Sequence, residues 1–175
     1  TFTKSTSTVT YDEADAQTVD NVDYHHLVIS GGATKSLSNT TNVGGDLTVT
    51  AASTVLAVGS NTIDVNGTTA ISSSGTVTVS TGTFDADGTM NCSANFTFTD
   101  AGALNLSNTV TDLGTFTKST STVTYDEADA QTIDNVTYNN LIIDQNATKT
   151  AANNLDIDGN LTLTNSTTLS MSGSN

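Results

Sequence analysis

The chain has no arginine, proline or tryptophan, and four lysines supply all of its fixed positive charge. Against 18 aspartates and glutamates they leave a formal net charge of −14. Phosphate recognition needs clustered Lys and Arg, so nucleic acid is excluded as a partner, and an anionic membrane surface falls with it. No run of about 18 apolar residues is present, so no membrane insertion by a helix is expected. Cys92 is the single cysteine, and no internal disulfide can staple the fold. No segment places apolar residues at i, i+3, i+4 and i+7 over three turns, so almost no helix is expected.

Thr, Ser and Asn together make up more than two residues in five. So polar a chain could be disordered, but its apolar residues are not scattered. They alternate with polar ones in short runs: LTVT, TIDV, TVTV, NFTF, ALNL and LTLT. A period of two marks strands with one face buried, and Thr, Val, Ile, Leu and Phe mostly suit strands.

Residues 1–30 return as residues 115–144 with 24 of 30 positions identical, at an offset of 114. The offset holds without a gap to Asn175, which matches Asn61, so 1–61 is repeated by 115–175. Between the copies Val19 becomes Ile133 and Val28 becomes Ile142, whereas Asp23, His25, His26 and Ser30 become Thr137, Asn139, Asn140 and Asp144. Apolar sites stay apolar and polar sites drift among polar types. Residues 1–175 therefore read as one continuous segment of an array, in which each unit buries its core against its neighbours.

A finer period lies inside this unit. Gly45, Gly67, Gly88 and Gly114 follow one another at near-regular steps, and Gly159 matches Gly45 one unit later. Apolar residues flank most of them at two and four positions on either side. Two half-buried strands meeting at a glycine corner explain this pattern. Five coils of about 23 residues per 114-residue unit are expected, stacked at about 4.8 Å. Lys4 and Lys118 fall in an inward register, which requires the strand to end there or the lysine to lie at an open corner.

The strings TVTYDEADAQTIDNVTYNNLIID and GNLTLTNSTTLSMSG resemble repeats of very large secreted or cell-surface proteins of bacteria and some archaea. The resemblance covers nearly the whole chain in pattern. It implies an all-β chain folded as a right-handed parallel β-helix (β-solenoid), with an adhesive or structural role outside the cell. It brings no catalytic residues.

Aspartates are the first candidates for chemistry. Asp64, Asp85 and Asp156 lie three residues before their glycines, and Asp87 and Asp158 lie one before. All five face outward by alternation. Asp64 and Asp85 precede successive glycine corners and are expected to stack one coil apart. Two carboxylates at that spacing repel by about 0.9 kcal/mol in water, a cost that Ca²⁺ would remove. The five are therefore the candidate calcium ligands, and the alternative is a solvated acidic ladder.

The YDEADAQ segment, with Asp12, Glu13 and Asp15 and their copies Asp126, Glu127 and Asp129, reads as an acidic surface loop. Paired carboxylates could serve glycoside hydrolysis, but duplication argues against a single active site. His25 and His26 read as exposed polar residues, since their copies are asparagines. Cys92 reads as a buried, inert thiol in one column with Val49, Ile71 and Leu163.

T-x-T triplets at Thr48–Thr50, Thr76–Thr78, Thr97–Thr99 and Thr162–Thr164 would suit ice only if they shared one face. Nine N-x-S/T sequons mark sites open to glycosylation in an exported protein.

The expected function is that of an extracellular or cell-surface structural rod: part of a fibre, surface layer or adhesin stalk. Its partners would be copies of itself, end to end or side by side, and surface glycans. A calcium-dependent or carbohydrate-binding adhesin is the rival from the binding class. A β-helix polysaccharide lyase or hydrolase is the rival from the enzyme class. Lyases of that fold usually use a basic residue, and this chain has few.

Overall fold

A computed structural model describes residues 5–172. It contains 24 short strands among those residues, numbered in chain order, and every pairing between them is parallel. Three sheets alternate along the chain. The first face stacks β1 (Thr8–Tyr11), β3 (His26–Ile29), β6 (Leu47–Val49), β9 (Thr69–Ile71), β12 (Met90–Cys92) and β15 (Val110–Asp112). The second stacks β2 (Gln17–Val19), β4 (Ala33–Leu37), β7 (Thr54–Gly59), β10 (Thr76–Val79), β13 (Asn95–Phe98) and β16 (Thr115–Thr117). The third stacks β5 (Thr41–Val43), β8 (Thr62–Val65), β11 (Thr83–Ala86), β14 (Ala103–Leu106), β17 (Thr122–Tyr125), β20 (Asn140–Ile143) and β23 (Leu161–Leu163). The result is a three-sided β-solenoid.

Ladder pairing is interrupted on two faces between β15 and β18 (Gln131–Ile133), and between β16 and β19 (Thr137–Tyr138). Beyond the break, β18 pairs with β21 (Thr148–Ala151) and β21 with β24 (Thr168–Met171), while β19 pairs with β22 (Asp156–Ile157). Side chains hold the stack together there. Leu113 N donates to Asp134 Oδ2 at 2.7 Å, and the Phe116 and Tyr138 rings lie 6.2 Å apart. The third face runs through unbroken.

Register partners on successive coils include Thr8 with His26 and Leu47 with Thr69. The third position of the first coil is Tyr24, which bridges to Val43. Counted with it, β1 is the first strand position and β17 the eighteenth. Seventeen steps on a three-sided coil are five coils and two further sides. The expectation of five coils of about 23 residues is thereby corrected to coils of about 20 residues, still within the range of solenoid repeats. It also follows that the two copies sit on different faces: β1 on the first, its copy β17 on the third. The offset slips by one residue near the end, because Lys35 pairs with Leu56 whereas Lys149 pairs with Leu169.

Alternation sets the core. Val49, Ile71 and Cys92 form one inward column, all but inaccessible to solvent. Leu163, expected in that column, lies on another face and is 46% exposed. Phe84, Phe96, Phe98 and Phe116 form a chain of rings with centroids 5.3–6.1 Å apart, in the edge-on and offset geometries aromatic rings favour. At the corners, Gly67 is required by close approach: a Cβ there would meet the Gly45 carbonyl at 2.6 Å. Gly114 instead takes φ +64°.

Candidate functional site

The duplicated YDEADAQ loop owes its shape to a lysine one coil further on. Lys35 has no exposed surface, and its Nζ donates to the carbonyls of Glu13 (2.7 Å), Asp15 (3.0 Å) and Gly32 (2.7 Å). Lys149 repeats this in the second copy, donating to the carbonyls of Glu127 and Asp129, the latter at 2.9 Å. A buried ammonium is costly unless hydrogen-bonded, and a ring of carbonyls meets that need. Burial pushes the Lys149 ammonium below its ordinary value, against the pull of Glu127, Asp126, Asp129 and Asp144. Because the loop turns its carbonyls inward, Asp12, Glu13, Asp15 and Asp129 are left exposed at the surface. Sequence reasoning overlooks both lysines. The available signal is a lysine at an inward strand position, 20 residues after Asp15 and again after Asp129.

A pair of tyrosines closes the same segment. Tyr125 and Tyr138 share a hydroxyl–hydroxyl hydrogen bond of 2.9 Å. Tyr138 Oη donates to the Asp134 carbonyl, and Asp134 N donates to Tyr125 Oη. Tyr11, Tyr24 and Asp20 reproduce all three contacts. Burial raises the hydroxyls of Tyr24, Tyr125 and Tyr138 above the ordinary tyrosine value.

Of the five candidate metal ligands, the fold brings three to one region. Asp64 and Asp85 are register partners on the outer side of the third face, in a column running Asn42, Asp64, Asp85, Asn105. Burial, then Asp87, raises the Asp64 carboxyl; burial, then Asp87 and Asp64, raises that of Asp85. Asn66, with its amide turned so that nitrogen faces the carboxylates, lies 3.1 Å from Asp64 Oδ1 and 3.2 Å from Asp87 Oδ2. Asp156 and Asp158 lie apart from them. Asp156 Oδ2 accepts from Thr137 Oγ1 at 2.9 Å, and Asp158 Oδ2 is 2.7 Å from Lys118 Nζ. β16 ends at Thr117, so Lys118 lies just past the strand, one of the two outcomes that its inward register required; Lys4 lies outside the described residues. Among the described residues, no group of three or more His, Cys, Asp or Glu side chains is disposed to hold a metal ion.

The remaining candidates have structural partners. His26 Nδ1 accepts from Asp46 N at 2.9 Å, and in the second copy Asn140 Oδ1 accepts from Asn160 N at 3.1 Å. His25 and His26 are thus half-buried corner residues, not freely exposed ones. Cys92 is buried, and its thiol is pushed up to about 11 by desolvation. The T-x-T triplets do not share a face: Thr48 lies on the first, Thr76–Thr78 and Thr97 on the second, and Thr162 on the third. No pocket opens among the described residues. Comparison of the chain with protein-family models, with curated proteins and with solved structures returns no match.

Proposed function

We propose that the protein is a stiff structural rod that works outside the cell, as part of a fibre, surface layer or adhesin stalk. The observation that supports this is the ladder of parallel strands on the third face, continuous from β5 to β23 over one apolar core. Such a stack resists bending because every coil is hydrogen-bonded to the next and packed through its interior. Its outer columns are dominated by Thr, Ser, Asn and Asp, which keep a long rod hydrated and offer hydroxyls and amides to glycans. The rod is right-handed in this reading, the sense that parallel crossovers adopt. It carries no reaction: the duplicated carboxylates belong to loops fixed by lysine.

Two measurements test the proposal. Small-angle X-ray scattering of the chain is expected to give an elongated particle, and a compact globule would overturn the rod. Antibody raised against YDEADAQ is expected to label intact source cells; label only after permeabilisation would overturn the extracellular role.

A further inference from the structure

Where the coil of β15, β16 and β17 meets the coil of β18, β19 and β20, strands face strands on three sides, yet a single ladder forms. β17 pairs with β20, from Thr122 on Asn140 to Tyr125 on Ile143. No ladder links β15 to β18 or β16 to β19. Three further observations mark the same level. First, β15 is irregular: Met90 pairs with Val110 but Asn91 with Asp112, so Thr111 is an extra residue in the strand. Second, the inward columns lose their closure. Leu27, Leu47, Thr69 and Met90 have no exposed surface, whereas Val110, next in that column, is 8% exposed. Phe96 is closed in the same way, and its register partner Phe116 is only partly buried. Third, Gln131 Oε1 is buried in the seam and accepts no hydrogen bond from the protein, a cost that entering water would remove.

Side chains close the two unladdered faces. Leu113 N donates to the Asp134 carboxylate, and the Phe116 ring meets that of Tyr138. One contact reaches further. Lys118 follows β16, before the seam, and its Nζ lies 2.7 Å from Asp158 Oδ2. Asp158 follows β22, which pairs with β19 beyond the seam. Lys118 therefore spans the intervening coil and ties the two blocks together. It makes the one lysine–carboxylate ion pair among the described residues. With side chains 25% and 59% exposed, the pair is open to screening by salt.

We infer that this seam is a hinge. The blocks before and after it pivot on the β17–β20 ladder. The first and second faces part between β15 and β18 and between β16 and β19, and the Lys118–Asp158 ion pair is the latch that holds them shut. Side-chain contacts break one at a time, whereas a ladder resists as a unit, so the stack opens here before it opens elsewhere. The surviving ladder keeps the two blocks in register, and the seam can close again. The rod thereby gains one defined level of bending, with one direction, toward the third face. This goes beyond the rod reading: it needs the stacked fold alone and holds wherever the protein works.

Double electron–electron resonance on the full chain, in a Cys92→Ala background, tests this. Spin labels at Thr48→Cys and Thr150→Cys sit at outward positions on either side of the seam, about 24 Å apart along the stack. Labels at Thr83→Cys and Thr162→Cys cross the same level on the third face, about 19 Å apart. The first pair is expected to show two distances and the second pair one. Between about 0.01 M and about 1 M salt the longer distance should gain about two-fold in population. Lys118→Met and Asp158→Asn should each produce that gain at low salt and abolish the salt response. Lys118→Asp combined with Asp158→Lys should restore the original distribution. Circular dichroism checks that each variant is folded, and the salt titration tests the latch without any substitution there. One narrow distance for both pairs at every salt concentration overturns the hinge, and so does equal broadening of both. Opening that ignores salt and both single variants overturns the latch.

Discussion

Lys149 Nζ donates to the carbonyl of Asp129, 20 residues earlier in the chain and one coil away, at 2.9 Å. The lysine has no exposed surface, and Lys35 does the same for Asp15 in the other copy. Removing the ammonium leaves carbonyls in a site closed to water. Lys149→Met is therefore expected to cost about 3 kcal/mol, read as a lower melting temperature. It should also open the Asp126–Gln131 segment to limited proteolysis. Lys149→Arg should not rescue it, because a planar guanidinium does not fit the space of a compact ammonium. Unchanged cleavage in the Met variant would show that the loop holds its shape without the lysine.

This contact also shows where the sequence was legible. Alternation in runs such as TVTV and NFTF identified strands that the structure contains, with Val77, Val79, Phe96 and Phe98 inward. Glycine corners were found too, through Gly45 and Gly67. Coil length was overestimated because glycine marks only some corners, while others are turned by Ser73, Ser74 and Asn165 at positive φ. The YDEADAQ segment shows carboxylates in its sequence, yet its fixed element is a set of backbone carbonyls. A side-chain pattern does not report those, and the lysine that reads them lies a coil away. The change of face between the copies was likewise hidden, since a linear offset carries no angle.

His26 and Asn140 occupy equivalent corners and accept from equivalent amides, those of Asp46 and Asn160. What that position requires is an acceptor, not an imidazole. His26→Asn is expected to be nearly neutral, within about 0.5 kcal/mol, whereas His26→Leu should cost about 1 kcal/mol by leaving the Asp46 amide unpaired. Thermal melts of the two variants separate these cases. Equal losses would mean that ring packing against His25, at 4.3 Å between centroids, matters more than the hydrogen bond.

Asp64 and Asp85 make the stack sensitive to pH in an unusual direction. Their folded carboxyls are raised by burial and by neighbouring carboxylates, so the folded chain holds protons more tightly than the unfolded one. Their contribution to stability is most favourable below the ordinary value of 3.8 and declines as pH rises through the raised folded values. Asp85→Asn is expected to melt a few degrees higher than wild type at pH 7, with the gap closing as the pH falls below 3.8. Asp144, half-buried and lowered chiefly by its hydrogen bond to Thr164, works in the opposite sense. Calcium is expected to shift the melting temperature no more than an equal concentration of magnesium, because Asn66 already bridges Asp64 and Asp87. A calcium-specific rise would instead assign a cation to this ladder.

Cys92 offers the simplest report on the integrity of the core. It lies on Ile71 in an inward column, has no exposed surface, and its thiol is raised to about 11 by burial. At pH 8 about one molecule in a thousand would carry the thiolate, the form that attacks a disulfide reagent. Access is closed as well, so native protein is expected to stay unmodified by Ellman's reagent over hours and to react completely in denaturant. Reaction at a rate independent of reagent concentration would measure opening of the coil around β12. Lys149→Met should leave that rate unchanged, because the lysine acts several coils away. Rapid labelling of the native chain would place Cys92 outside the core and overturn the register of the first face.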